Sequence, residues 1–269
     1  MWFLLACLGT APAPSWPLTG DVLAVEGAEV EVRHDPVEGL MPEMVMRFVV
    51  EGPPPSAGDR IEATLTQGPD GYVLSEVRTV GSRLSPLRDD VPEVWVGQPW
   101  PKAELVASDG TPLTLGPGTP PTVLAFLYTR CPNPDFCPAL VGRLLALQES
   151  LPAGARIVTV TLDPVHDTPE VLAEYGARVG ADPARWSLAH APADSVARLA
   201  LQAGQDVLQQ GDIVVHEHRL VVLDSEGRLV ERYDHNRWAV ARVARQLRTG
   251  LPRGLHPVSS SSPRPAPPR

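Results

Sequence analysis

The sequence predicts two domains of different fold class, a small all-β barrel followed by an α/β domain. Residues 20–80 contain short runs of alternating apolar and polar side chains, such as Glu29–Val32, separated by turns such as Gly52–Pro55. From about residue 93 the pattern changes to apolar strands that alternate with amphipathic helices. The length of 269 residues also exceeds that of one average domain.

The second domain can be predicted element by element. The apolar run Thr122–Tyr128 indicates a buried strand, and Ala139–Gln148 places its leucines on one helical face. Thr168 and Pro169 supply an N-cap and a first-turn proline. The other predicted elements are a strand at Arg156–Leu162, helices from 169 to about 180 and near 193–203, a strand run Ile213–Leu223, a turn at 225–227, a strand to Tyr233 and a closing helix at Trp238–Arg248. The predicted fold class is therefore an α/β thioredoxin-like domain preceded by a small all-β, OB-like barrel.

These patterns divide the chain into five segments. The last of them holds six prolines and four consecutive serines, a composition typical of disorder. The expected segments are a signal or lipoprotein segment at 1–17, the barrel at 18–82, a linker at 83–92, the thioredoxin-like domain at 93–250 and a disordered tail at 251–269.

The charge of the chain is concentrated in the barrel segment. Residues 18–82 hold twelve Asp and Glu against four Arg, whereas the whole chain has a net charge of -9. An acidic surface repels phosphate, so no nucleic-acid partner is expected. No apolar run is long enough to cross a bilayer.

The first residues are apolar and are typical of the end of an export signal. Leu4-Leu5-Ala6-Cys7 resembles the lipobox at which bacterial lipoproteins are cleaved and lipidated, which predicts a lipid on Cys7 and a location on the periplasmic side of the bacterial cell envelope. The apolar stretch is short and no basic residue precedes it. An accidental match or a start codon further upstream therefore stays open.

Cys131 and Cys137 are the other two of the three cysteines and lie between the predicted strand and the predicted helix. Thiols at the start of a helix face unpaired backbone N–H groups and the positive end of the helix dipole, which favours the thiolate. Thiolates serve both metal binding and disulfide exchange. The pair is therefore a disulfide, a redox couple or part of a metal site.

A metal site would need a third ligand, for which His216 is the first candidate. It begins the strand Val215–Leu223, and the start of that strand lies beside the cysteines in a thioredoxin-like sheet. His218 projects from the same face and ranks second. Two sulfurs and one imidazole favour Cu(I), while Cu(II) is also a candidate.

Three separated motifs resemble the SCO/SenC family of copper proteins over roughly residues 93–249. They are Tyr128-Thr129-Arg130-Cys131-Pro132 with Cys137-Pro138, the segment Asp163–Leu172, and His216 placed eight residues before Asp224 with Gly227 closing the hairpin. The resemblance implies copper ligands at Cys131, Cys137 and His216, and delivery of copper to cytochrome c oxidase during assembly. It also implies that Asp163, His166 and Asp167 belong to a strand-to-helix turn. One departure is that five residues separate the cysteines here, against three in the family.

Apart from Met1, the methionines fall within six residues, at Met41, Met44 and Met46. In an extended segment Met44 and Met46 project from one face, and His34 precedes them. Thioethers with an imidazole form a soft site suited to Cu(I).

Over about residues 20–80 the chain resembles the periplasmic copper-binding barrel of the Cus efflux system, whose ligands fall on His34, Met44 and Met46. Met41 replaces that family's tryptophan lid and adds a third candidate sulfur. A methionine-rich strand that packs the barrel core is the alternative.

These sites together predict a metallochaperone that delivers copper to the copper-site subunit of cytochrome c oxidase or to another acceptor. A thiol-disulfide reductase acting on the cysteines of that oxidase site is the alternative. A copper buffer without a dedicated recipient is a third possibility.

Overall fold

The computed structural model describes residues 14–68, 71–83 and 91–250. The chain divides into two compact units, residues 1–86 and 87–269, and each is described by itself. Cys7, residues 84–90 of the predicted linker and the predicted tail lie outside the described residues. No helix in the described ranges is both long enough and apolar enough to span a bilayer.

The first unit is an all-β barrel, as the alternating pattern predicts. The pairs β1–β2, β2–β3, β4–β5 and β1–β4 are antiparallel, and the parallel pair β3–β5 closes the barrel. Phe48, Leu18 and Ile61 are among the side chains that fill its core. The strands are β1 (Ser15–Glu26), β2 (Glu29–His34), β3 (Met44–Val50), β4 (Asp59–Gly68) and β5 (Gly71–Arg83).

The second unit is the predicted α/β domain. One sheet has the order β14-β13-β8-β9-β10-β6-β7, in which β8, β9 and β10 are parallel neighbours. Outside this sheet, β11 pairs with β12 in an antiparallel hairpin. The strands are β6 (Ala103–Ala107), β7 (Pro112–Leu115), β8 (Thr122–Leu127), β9 (Arg156–Thr161), β10 (Trp186–His190), β11 (Val207–Gln210), β12 (Ile213–His216), β13 (Leu220–Leu223) and β14 (Leu229–Tyr233). The helices are α1 (Cys137–Ser150), α2 (Pro169–Val179), α3 (Ala193–Gln202) and α4 (Val240–Thr249).

Local sequence signals explain most of these elements. The Thr168 side chain accepts a hydrogen bond from the Val171 amide, and Gly180 ends α2 in the left-handed conformation. Strand β8 is buried along its whole length, as its continuous apolar run predicts. The thioredoxin-like order of strands and helices is thus confirmed.

The prediction of one strand over Ile213–Leu223 is wrong. The chain forms β12, leaves it after His216 and enters β13 at Leu220. The Arg219 side chain donates hydrogen bonds to the backbone oxygens of His218, at 2.9 Å, and Gly204, at 2.8 Å. Because these bonds fix an irregular connection, His216 is the last residue of a hairpin strand and does not begin the central strand.

Gly20 permits the close approach of β1 and β2 beside His34, its partner in the strand register. A Cβ atom at Gly20 would lie 2.8 Å from the Arg33 oxygen and 2.9 Å from the His34 Cα. These contacts are with backbone, which cannot rotate away.

We therefore expect Gly20→Ala to destabilise the barrel by about 1–3 kcal/mol, measured by urea unfolding. Gly142→Ala is the control, because a Cβ there meets no atom within 4 Å and lies within α1. The control should be neutral or slightly stabilising, since alanine is favoured over glycine in helices. Equal unfolding midpoints for Gly20→Ala and the unchanged protein would contradict the close approach.

Candidate metal centre

Two buried acidic side chains anchor the chain just before Cys131. The Asp167 carboxylate accepts hydrogen bonds from the Thr129 amide at 3.0 Å, from the Thr129 hydroxyl at 2.5 Å and from the Thr161 hydroxyl at 2.6 Å. The Asp163 carboxylate accepts one from Arg130 Nε at 2.7 Å. Both acids therefore brace the segment that carries Cys131, within the strand-to-helix turn that the sequence predicts.

Residues 131–137, here called the cysteine loop, end at the first residue of α1. Cys131 is partly exposed and Cys137 is buried, and both are free thiols. The hydrogen bond from Cys137 lowers the pKa of Cys131 to about 5, assisted by backbone N–H groups of Cys137 and Asn133. The same hydrogen bond, together with burial, raises the pKa of Cys137. The interaction between the two cysteine side chains therefore favours the thiolate at Cys131 and the thiol at Cys137.

Tyr128 joins the cysteine loop to β12. Burial raises the pKa of Tyr128 to about 12, and its hydrogen bond to Cys131 contributes. Its hydroxyl therefore stays protonated and donates to the sulfur. The same oxygen accepts a hydrogen bond from the Val214 backbone, two residues before His216.

His216 lies against the cysteine loop through aromatic contacts. Its ring centroid is 6.0 Å from that of Tyr128 and 5.8 Å from that of Phe136, in both cases edge to face. His216 Nδ1 lies 2.8 Å from the Glu217 carbonyl oxygen, which can only accept, so Nδ1 carries the proton. Burial lowers the pKa of His216 and keeps the ring neutral.

The Nε2 atom of His216 therefore bears a lone pair, and this atom is buried without a hydrogen-bond partner. A neutral imidazole fixed through Nδ1 is the form in which histidine binds a metal. With the two sulfurs this donor set fits a soft ion such as Cu(I). Within the described ranges, no three His, Cys, Asp or Glu side chains are already close enough together to hold a metal, so binding would require the imidazole and the sulfurs to approach one another.

The second candidate, His218, has a different environment. Its ring stacks on Phe136 at a centroid distance of 3.9 Å and an interplanar angle of 30°. Its Nε2 lies 3.3 Å from the Asn236 amide nitrogen. Unlike Nε2 of His216, this nitrogen already has a partner.

In the barrel, the strand register brings the predicted histidine and methionines to one face. His34 pairs with Met44, and Val32 pairs with Met46. Side chains directly opposite one another lie on the same face of a sheet, as do residues two apart on one strand. His34, Met44 and Met46, here called the His–Met face, are therefore neighbours.

Met41 lies in the connection before β3. A hydrogen bond from the Val37 amide to the Met41 backbone oxygen, at 2.9 Å, holds this connection.

His34 repeats the arrangement seen at His216. It is completely buried, and its Nδ1 lies 2.7 Å from the Asp35 carbonyl oxygen. Nδ1 therefore carries the proton, and Nε2 is buried without a hydrogen-bond partner. Met44 is 43% exposed, whereas Met46 and Met41 pack against the barrel core. The arrangement fits a soft cation that enters past Met44.

Ion pairs hold the strands around His34. Arg60 pairs with Asp35 and also with Asp21, at 3.2 Å. Arg83 pairs with the same Asp21 carboxylate at 2.7 Å. The sequence pattern did not identify this network, because its members are far apart in the chain and only their charge marks them.

Comparisons with known proteins match both units. A family model described as SCO1/SenC matches residues 104–251. A family model described as the copper binding periplasmic protein CusF matches residues 15–79. No match was found among the curated proteins.

Solved structures resemble the second unit. A protein of Aquifex aeolicus described as an electron transfer protein has 23% identity and a TM-score of 0.52, over 60% of this chain and 98% of its own, which shows the fold. The copper-bound ScoI of Arabidopsis thaliana has 21% identity and a TM-score of 0.46, over 57% of this chain and 96% of its own. A SCO1/SenC family lipoprotein of Bacillus anthracis has 19% identity and a TM-score of 0.49, over 57% and 98%.

We expect Cys131 to react as a thiolate at neutral pH, because its pKa is lowered to about 5. Its alkylation rate should fall below pH 5 and be nearly constant from pH 6 to 8, whereas an ordinary thiol with a pKa of about 8.5 gains about tenfold per pH unit there. Mass spectrometry of the peptides separates Cys131 from Cys7 and Cys137.

Cys137→Ala is the matched control for this profile. It removes the main hydrogen-bond donor to Cys131, so the pKa of Cys131 should move back toward that of an ordinary thiol. A rate that still rises steeply between pH 6 and 8 in the unchanged protein would show that Cys131 is not a stabilised thiolate.

Proposed function

We propose that this chain, which belongs to the SCO1/SenC family, is a metallochaperone that delivers copper to the copper-site subunit of cytochrome c oxidase during assembly, or to another copper acceptor. The observation that carries the proposal is the buried, unpartnered Nε2 atom of His216, on a ring that contacts Phe136 of the cysteine loop. Copper is the cargo, and Cys131, Cys137 and His216 are its ligands.

The residues of the second unit bind and release copper by ligand exchange. The Cys131 thiolate is partly exposed and makes the first contact. Cys137 then joins with loss of its proton, because a metal competes with the proton for a thiol. His216 contributes Nε2 as a neutral ligand. The set favours Cu(I) and also accepts Cu(II), and the process needs no covalent catalysis.

The barrel supplies an auxiliary Cu(I) site formed by the His–Met face, with Met41 as a further sulfur. Support comes from the register that pairs His34 with Met44 and from the match to a family described as copper binding. Placing both sites on one chain raises the effective copper concentration at the second site. The barrel thus captures copper and the second unit delivers it.

The proposed location is the periplasmic side of the bacterial cell envelope. The family matched by residues 15–79 is described as periplasmic, which supports this location. Lipid attachment at Cys7 is part of the same proposal and would hold the chain at a membrane.

Anaerobic Cu(I) titration of the full chain tests the two sites, in a Cys7→Ser background that removes the third thiol. We expect two equivalents to bind, one lost in Cys131→Ser and one lost in Met44→Leu/Met46→Leu. Val45→Thr is the control, because Val45 is exposed and lies between the two methionines on the opposite face of β3. Unchanged stoichiometry in both site variants would refute the two-site model.

Delivery is tested by mixing the copper-loaded chain with the metal-free copper-binding domain of an oxidase subunit. The absorption of the assembled oxidase site should appear with the unchanged protein and be absent with Cys131→Ser. Copper binding without transfer to that domain would favour the buffering role.

The low pKa of Cys131 beside a buried Cys137 also favours thiol-disulfide reductase activity, since a reactive thiolate and a second thiol are the parts of such a site. This alternative predicts that His216→Ala retains turnover on a disulfide substrate and that Cys137→Ser loses it. Under copper delivery, His216→Ala instead lowers copper affinity. Measuring both quantities on the same variants separates the two functions.

A further inference from the structure

The cysteine loop has five residues between its cysteines. The helix N-cap that follows these residues does little to hold the loop in place. The N-cap position of α1 is Phe136, whose side chain makes no capping hydrogen bond. Pro132, Asn133, Pro134 and Asp135 are all exposed. Besides the bonds to Cys131, the loop contains a bond from the Phe136 amide to the Asn133 oxygen, at 3.1 Å, and one from the Asp135 amide to the Asn133 side chain, at 3.0 Å.

A second segment contacts the loop at its C-terminal end. The Asn236 amide nitrogen, in the connection between β14 and α4, lies 3.3 Å from the Phe136 oxygen and 3.5 Å from the Asp135 oxygen. It also lies 3.3 Å from Nε2 of His218. Since both carbonyl oxygens only accept, the Asn236 group that faces them is the donating NH₂.

The His218 ring adds an apolar contact to the same place. It stacks on the Phe136 ring at 3.9 Å, and Phe136 in turn meets the His216 ring edge to face. The Phe136 oxygen accepts from the Leu140 amide at 2.9 Å and from Asn236, and the Phe136 ring packs on His218. Phe136 immediately precedes Cys137, so its position sets where the Cys137 sulfur lies.

The geometry points to His218 and Asn236 as positioning residues, which clamp the cysteine loop so that Cys137 and His216 can bind the same copper ion. This inference rests on the proposed function and extends it to residues outside the ligand set. His218 thus acts through Phe136 and is not a ligand. The clamp acts at the C-terminal end of the longer loop, on Asp135 and Phe136.

The decisive variant is Asn236→Ala, with Asn236→Asp as a second variant that keeps the shape and turns a carboxylate toward the two carbonyl oxygens. Arg237→Ala is the matched control, because it changes an exposed neighbour in the same connection. Thermal unfolding of all three variants checks that the fold is retained.

In metal-free protein, hydrogen exchange at the amides of Asn133, Asp135, Phe136 and Cys137 should be about threefold to tenfold faster in Asn236→Ala than in Arg237→Ala, as expected for the loss of a hydrogen bond. Asn236→Asp should exchange at least as fast as Asn236→Ala. Equal exchange in Asn236→Ala and Arg237→Ala overturns the clamp.

In copper-loaded protein, Asn236→Ala should lower Cu(I) affinity at the cysteine site about tenfold or more, as for other residues that orient metal ligands. X-ray absorption should show fewer sulfur neighbours per copper, a change that general destabilisation would not produce. Unchanged affinity and sulfur count also overturn the inference. If Cys131→Ser does not alter copper binding, the proposed function fails, and hydrogen exchange in metal-free protein still decides the clamp.

Discussion

Both candidate copper sites depend on a hydrogen bond from a histidine Nδ1 atom to the carbonyl oxygen of the next residue. This bond fixes the ring and directs the Nε2 atom into the protein, where it has no hydrogen-bond partner. Leaving a buried polar atom unpaired costs about 1–3 kcal/mol. A site that keeps such an atom is prepared for a ligand, because binding a cation removes that cost.

Neighbouring groups keep each imidazole in place. In the second unit, Asp167 and Asp163 fix the residues before Cys131, and Tyr128 bridges the sulfur and β12. In the barrel, Gly20 admits the backbone of His34 and ion pairs hold the strands around it. The residues that position the ligands are Asp, Tyr, Gly and Arg, whereas the candidate ligands themselves are only Cys, His and Met.

The sequence was sufficient to predict the barrel and the thioredoxin-like class of the second unit. It also indicates candidate ligands for both sites, which stay predictions. The continuous apolar run in the sequence identifies Thr122–Leu127 as a buried strand, and the structure buries every residue of it. Periodicity could not separate β12 from β13, since the break depends on Arg219 bonding to the distant Gly204 oxygen. The hairpin β6–β7 was missed, although Asp109-Gly110 is a recognisable hairpin turn.

Chemical states were harder to predict than positions. The helix dipole alone would favour a thiolate at Cys137, which begins α1. The structure instead raises the pKa of Cys137 through its hydrogen bond to Cys131 and its burial, and lowers that of Cys131. The contact between two residues decides which sulfur is charged, and no local pattern encodes that contact.

The exposure of β3 decreases along its inner face, from Met44 at 43% to Phe48 at 1%. A cation that approaches His34 along this face meets a thioether before it meets the imidazole. A hard, strongly hydrated ion would lose bound water here, and its weak interaction with a thioether would not offset that loss. Discrimination between soft and hard ions can therefore occur at the entrance, before the buried nitrogen is reached.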